Sequence, residues 1–191
     1  GALRDLQRDA ARHQADALRA NTKLAGYAYH ALADHDGAPG GGLLDRARQA
    51  KPVHKLLHAV QAPVRPLIQA VRTNLVPREE IPVTVVLANE PRLEGRAEVT
   101  LHVLGPTRQV LWKKRRSVKL PRHTHELWQG TVAASGAPGT HRLLVRLTQG
   151  EKLLGQATLD LHVFPPAERV ASRTHGEAPQ HRAPARARPA A

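Results

Sequence analysis

Residues 3–20 repeat apolar positions at helical spacing. Leu3, Leu6, Ala10, Ala17 and Leu18 fall near one face and charged side chains fill the rest, so an amphipathic helix is expected with those five residues on its packed side. The run LAGYAYHAL, 24–32, is short and apolar and carries two tyrosines, which favours a buried strand. DHDGAPGGG follows, and its four glycines and one proline make it a loop. Beyond LLDRARQAK, Pro52 suits the first turn of a second helix, with Val53, Leu56, Leu57 and Val60 at helical spacing. The expected order up to residue 62 is helix, strand, loop, helix.

After residue 62 the period drops from 3.6 to 2. IPVTVVLANE sends Ile81, Val83, Val85 and Leu87 to one face, and RAEVTLHVLG does the same with Val99, Leu101 and Val103. RQVLWKKRRSVKL reads as the two arms of a hairpin, with Trp112 inward and the basic cluster at the tip. ELWQGTVA, HRLLVRLTQG and QATLDLHVF continue the alternation, with SGAPGT and TQGE as turns. About seven short strands at this spacing predict an immunoglobulin-like β-sandwich over 63–164. Residues 165–191, rich in Pro, Ala and Arg with almost nothing to bury, are expected to be a disordered basic tail.

Composition sharpens this picture. Hydrophobic residues make up 41% of the 191 positions, enough for a folded core, but aromatics are only 3%, so that core must be built from Leu, Val and Ala. The formal charge of +13 favours an anionic partner. Nucleic acid is disfavoured all the same: there is no aromatic platform for bases and no helix-turn-helix or ribonucleoprotein pattern. Cysteine is absent, which removes disulfides and thiolate metal sites. No apolar run approaches the roughly 20 residues that span a bilayer, so no membrane partner is expected. GALRDLQRDA does not read as a signal peptide, and the absence of methionine even at position 1 suggests processing or a piece of a longer chain.

Candidate chemistry concentrates in 30–36, where His30, Asp34, His35 and Asp36 stand together. His and Asp ligate divalent cations, but the spacing matches no metal motif, and neither a metal nor another cofactor is expected. His54 with His58 and His123 with His125 read as surface histidines in a chain holding 12. Lys113, Lys114, Arg115 and Arg116 form a candidate anion site, weighed against a solvated hairpin tip. A nucleophilic triad cannot be assembled, since no Cys exists and no Ser lies in a nucleophile elbow. Asn89–Glu90 looks like a catalytic pair but ends a strand, which makes it turn chemistry. The first glutamate is Glu79, so paired catalytic glutamates have no place in the N-terminal part.

The order of GYAYHALAD, then GLLD (42–45), then Lys51–Pro52 resembles glycoside hydrolase family two, the β-galactosidase, β-glucuronidase and β-mannosidase group. Its last barrel strand reads roughly Gly-Tyr-x-x-Trp-x-x-Asn-Asp, followed by a loop, a GLLD element and KP before the final helix. APVRPLI resembles that family's crossing into a β-sandwich, and NLVPREEIPVTVVLANE and APGTHRLLVRL resemble its strands. The resemblance covers residues 3–163. Two positions depart from it: His30 stands for the Trp and Ala33 for the Asn, which removes the aromatic surface for sugar stacking.

The resemblance implies a mainly β chain with an α/β N-terminal part: 1–62 as the last helix–strand–helix segment of a (β/α)8 TIM barrel, followed by the sandwich. It implies a retaining glycosidase whose two glutamates, with carboxyls about 5 to 5.5 Å apart, lie on earlier strands. A whole barrel needs about 250 residues. This chain alone would be inactive, with the rest of the barrel as its partner and a carbohydrate substrate reached through it. His30, Asp34 and His35 would border the pocket, because strand ends at that face of a barrel line the active site. Two alternatives compete: a non-catalytic sandwich binding module, and a basic anion-binding protein using KKRR and the tail.

Overall fold

The computed structural model describes residues 2–35, 40–134 and 136–165, without the side chains of 2–4. It contains helices α1 (Ala2–Ala20) and α2 (Pro52–Val60) and eight strands: β1 (Val64–Ala70), β2 (Asn74–Leu75), β3 (Glu80–Asn89), β4 (Arg96–Leu104), β5 (Val110–Lys119), β6 (His125–Ala133), β7 (Gly139–Gln149) and β8 (Lys152–Val163). The strands form a β-sandwich. One sheet has the order β1-β3-β6 and the other β2-β8-β7-β4-β5.

The period-two alternation builds this sandwich directly. In β4 the buried positions are Ala97, Val99, Leu101 and Val103, and in β7 they are His141, Leu143, Val145 and Leu147. The apolar ones among them meet Ile81, Val83, Val85 and Leu87 of β3 in the main core. Burying one such leucine is worth about 1.5–3 kcal/mol relative to leaving it in water. With so few aromatics available, many aliphatic side chains share that load. Trp128 of β6 and Trp112 of β5 close one edge between the sheets, their ring centroids 6.4 Å apart.

The chain leaves β1 in the first sheet and joins the second through β2, which runs parallel to β8. At the opposite end of β8, the backbone of β1 comes very close. A Cβ on Gly155 would lie 2.8 Å from the carbonyl oxygen of Val64 and 2.9 Å from Cδ of Pro66, so only glycine permits that approach.

The helical unit covers the outer face of the three-stranded sheet. Ala20, near the end of α1, packs on Leu67, Val86 and Ala88, which is why β3 is buried on both faces beyond Val85. The guanidinium of Arg65 donates to both carboxylate oxygens of Asp16 at 3.0 and 3.1 Å. Arg19 donates to the carbonyls of Val60 and Ala62 and pairs with Glu90 at 2.7 Å. One arginine thereby links α1, the end of α2 and the turn after β3.

Several expectations change. In α1 the packed face is Ala11 and Ala15, against Val53, Leu57 and Val60 of α2, whereas Ala10, Ala17 and Leu6 are exposed and Leu18 is only half-buried. Small side chains let the two helices approach closely, and that proximity outweighs the larger apolar area of Leu6. Leu3 lies among the undescribed side chains. The run 24–32 is not a buried strand: it is irregular, and Leu24 and Leu32 are exposed. Its backbone is held at its two ends: the Leu24 amide donates to the Asn21 carbonyl, and the amides of Leu43 and Leu44 donate to the carbonyls of Ala31 and Leu32.

RQVLWKKRRSVKL is one strand, not a hairpin. Lys113–Arg116 sit in the middle of β5, paired residue by residue with His102 to Val99 of β4. No residue between 113 and 116 favours a turn. The reversal occurs earlier, at 105–109, where the Gly105 amide donates to the Gln109 carbonyl and Arg108 takes a positive φ of 65°. The tail beyond residue 165 lies outside the described residues.

Candidate functional site

The local structure of 30–52 is set by one buried lysine. Lys51 stands just before Pro52, which begins α2 as expected for proline in a first turn, and its side chain is buried. The ammonium donates to both oxygens of Asp34 at 3.0 and 3.1 Å and to the carbonyl of Gly40 at 3.1 Å. All three of its hydrogens have acceptors, as a buried ammonium requires. Asp34 also accepts from the Gly42 amide at 2.7 Å. The Lys51 hydrogen bond, seconded by the Gly42 amide, holds the Asp34 carboxyl below its usual value, so it is ionised at neutral pH.

Gly42 is fixed by contact rather than by dihedral angle: a Cβ there would sit 2.4 Å from the backbone carbon of Ala33 and the nitrogen of Asp34. GLLD is therefore a knot. Its glycine receives the carboxylate, and Leu43 packs on the α1–α2 core. Leu44 bridges Ala33 and Ala50, and Asp45 accepts from the Gln49 amide at 2.9 Å to close a turn. The Leu43 carbonyl accepts from the Lys51 amide at 2.9 Å. Each element of the motif order holds the next in place.

The sequence candidates are dispersed around this knot. His30 is exposed and lines a hollow of about 350 Å³ together with Gln14, Tyr27, Tyr29 and Leu57. The peptide between His30 and Ala31 is cis. Asp34 faces Lys51 instead of that hollow, His35 is exposed at the loop entry, and Asp36 lies outside the described residues. Among the described residues no group of three or more His, Cys, Asp or Glu is arranged to hold a metal ion. The four histidines expected at the surface, His54, His58, His123 and His125, are all exposed. Among the described residues no helix is long and apolar enough to cross a membrane.

Asn89 is turn chemistry, as its place at the end of a strand suggested. Its amide donates to the carbonyls of Leu93 and Pro121 at 2.8 and 2.6 Å, and its oxygen accepts from the Leu93 amide at 2.9 Å. A cleft of about 740 Å³ opens beside it between the 21–27 segment and the end of β3, walled by Arg19, Tyr27, Glu90, Arg92 and His123. Of Lys113–Arg116, Arg115 pairs with Glu98, and the Lys114 ammonium lies 5.7 Å from the Trp128 ring centroid. Sequence reasoning missed Lys51, Arg19 and His102 as structural actors. Only the KP dipeptide pointed to Lys51, since a lysine's charge normally signals a solvated position.

No protein-family model matches the sequence, and no curated protein matches it. Solved structures do. A β-D-mannosidase from Dictyoglomus thermophilum superposes over 85% of this chain with a TM-score of 0.66 at 13% identity, and the overlap is 20% of that enzyme. A glycosyl hydrolase family 2 member from Bacteroides cellulosilyticus matches 53% of the chain and 14% of its own length, with a TM-score of 0.44 and 14% identity. The sporulation control protein Spo0M of Bacillus subtilis matches 53% of this chain and 49% of its own, with a TM-score of 0.40 and 12% identity. The chain spans about a fifth or less of the two glycosidases. At these identities the likeness is one of fold.

Proposed function

We propose that this chain is the C-terminal region of a retaining glycosidase of the β-galactosidase, β-glucuronidase and β-mannosidase type. On this reading 1–62 is the closing segment of a (β/α)8 barrel, and the sandwich, immunoglobulin-like in its strand crossovers, is the domain that follows. The observation that carries the reading is the extent of the mannosidase overlap. At 85% of the chain it reaches well beyond β1–β8 into the helical unit, which a generic sandwich would not explain. The motif order supports it, because the residues of GLLD and KP hold one another through the Asp34–Lys51 pair.

In that setting the catalytic acid/base and nucleophile lie on a preceding segment, and the chain by itself hydrolyses nothing. His30 and His35 border the sugar pocket and hydrogen-bond hydroxyls, and Asp34 acts by fixing the loop that carries them. The exposed Leu6, Leu24 and Leu32 are covered by neighbouring barrel elements. The test is to express the polypeptide with whatever coding sequence precedes it and to assay aryl-β-galactosides, glucuronides and mannosides. Turnover by the longer protein with none by this chain is expected. A longer protein that hydrolyses none of them overturns the reading.

A further inference from the structure

The outer face of the five-stranded sheet carries an imbalance of charge that the glycosidase reading does not use. Register places Lys113, His102 and Leu144 side by side across β5, β4 and β7, with Arg115, Thr100 and Arg146 in the adjacent row. The carboxylates on this face are engaged: Glu98 pairs with Arg115, and Asp160 accepts from Arg142 at 2.6 and 3.0 Å. Lys113 and Arg146 are exposed, and no acidic partner meets either of them among the described residues. Between them stands His102, whose buried Nε2 has no hydrogen-bond partner there. Burial first, then the charges of Lys113 and Arg146, hold its imidazole below the usual value, so the group itself registers the positive potential.

We propose that this face binds an anionic polysaccharide, a chain bearing uronate or sulfate groups, with Lys113 and Arg146 as the two principal cations. The two lie on strands separated by β4, about 10 Å apart across the sheet and offset by about 7 Å along it, so roughly 12 Å apart at ordinary strand geometry. That separation suits successive charges on an extended polymer better than a single small anion. The face is the outer surface of a five-stranded sheet, with no helix on it to enter a duplex groove. Both tryptophans lie between the sheets and not on this surface, so no ring offers a stacking platform for bases. Charge complementarity without base-reading features selects a polyanion recognised by charge alone. The binding does not depend on the glycosidase reading.

The experiment uses the full chain, with fluorescent polygalacturonate as probe and a 20-base-pair DNA duplex as competitor class, each measured over a range of salt. Lys113→Glu/Arg146→Glu is compared with Lys23→Glu/Arg116→Glu, an equal charge change at exposed positions off this face. The first variant should lose about tenfold or more in affinity for polygalacturonate and show a shallower salt dependence, and the second less than about threefold. Lys113→Gln/Arg146→Gln, a milder change in case reversal disturbs folding, should lose an intermediate amount. NMR titration of the Gln variant should show the His102 pKa rising toward its ordinary value. Equal losses from the two Glu variants, or no loss from the first, overturn the proposal. Tighter binding of the duplex, lost in the same face variant, replaces the polysaccharide with nucleic acid and overturns it as well.

Discussion

The ammonium of Lys51 sits 3.0 and 3.1 Å from the two carboxylate oxygens of Asp34, a contact across 17 residues that ties the loop to the first turn of α2. Removing the acid leaves a buried cation facing only the Gly40 carbonyl. Asp34→Ala is therefore expected to destabilise the 30–52 region more than Lys51→Met does, because the carboxylate left by the methionine keeps the Gly42 amide and some solvent contact, whereas the ammonium left by the alanine is the more deeply buried charge. Hydrogen exchange at the Gly42, Leu44 and Lys51 amides measures this. Equal protection in both variants would contradict the role of the pair.

Gly42→Ala should cost about 1–3 kcal/mol, since its Cβ meets backbone atoms that cannot rotate away. Urea unfolding monitored in the helical unit gives the number. A neutral result would mean the loop opens without cost.

The two classes of leucine should part clearly. Leu101→Ala, in the sandwich core, is expected to lose about 2–5 kcal/mol. Leu6→Ala should change stability of this chain by no more than about 0.5 kcal/mol, because Leu6 is 66% exposed. If Leu6 proves costly here, α1 packs differently from the arrangement described.

Arg19→Ala removes donors to the Val60 and Ala62 carbonyls and the pair with Glu90. The expected outcome is looser docking of the helical unit: faster limited proteolysis within 21–27 with the sandwich melting transition little changed. Loss of the sandwich transition itself would sink this assignment.

Two windows of pH dependence follow from the shifted groups. His102 has a folded pKa below its ordinary 6.5, so the unfolded chain takes up the proton first as pH falls. Its contribution to stability is intact above 6.5 and is lost as pH drops through the lower folded value. Asp34 and Asp160, depressed by Lys51 and Arg142, behave likewise below 3.8. His102→Leu should flatten the stability profile just below pH 6.5 and leave the acid limb unchanged, as measured by urea midpoints across pH.

The alternation of apolar positions by itself determined the sandwich. In β3, β4, β7 and β8 a side chain's parity decides its face, so Val99, Leu101 and Val103 were legible as core without any partner in view. Pro52 marked the start of α2 for a similarly local reason, its fixed φ and missing N–H. Asn89 could be read as turn chemistry because its side chain bonds Leu93 in the same turn, although its second bond, to the distant Pro121 carbonyl, had no local signal.

Tertiary structure decided what depends on distant partners. Ala11 and Ala15 outrank Leu6 in α1 because the approach of α2, and not side-chain size, selects the packed face. KKRR became an edge strand because β4 was there to pair with it and the turn had already been made at 105–109. The acid and imidazole cluster of 30–36 separated because Asp34 was claimed by Lys51, a lysine whose burial no local pattern announces. A side chain's chemistry is written in the sequence. Which charge it will meet, and at what cost in desolvation, is fixed only when the chain brings the two together.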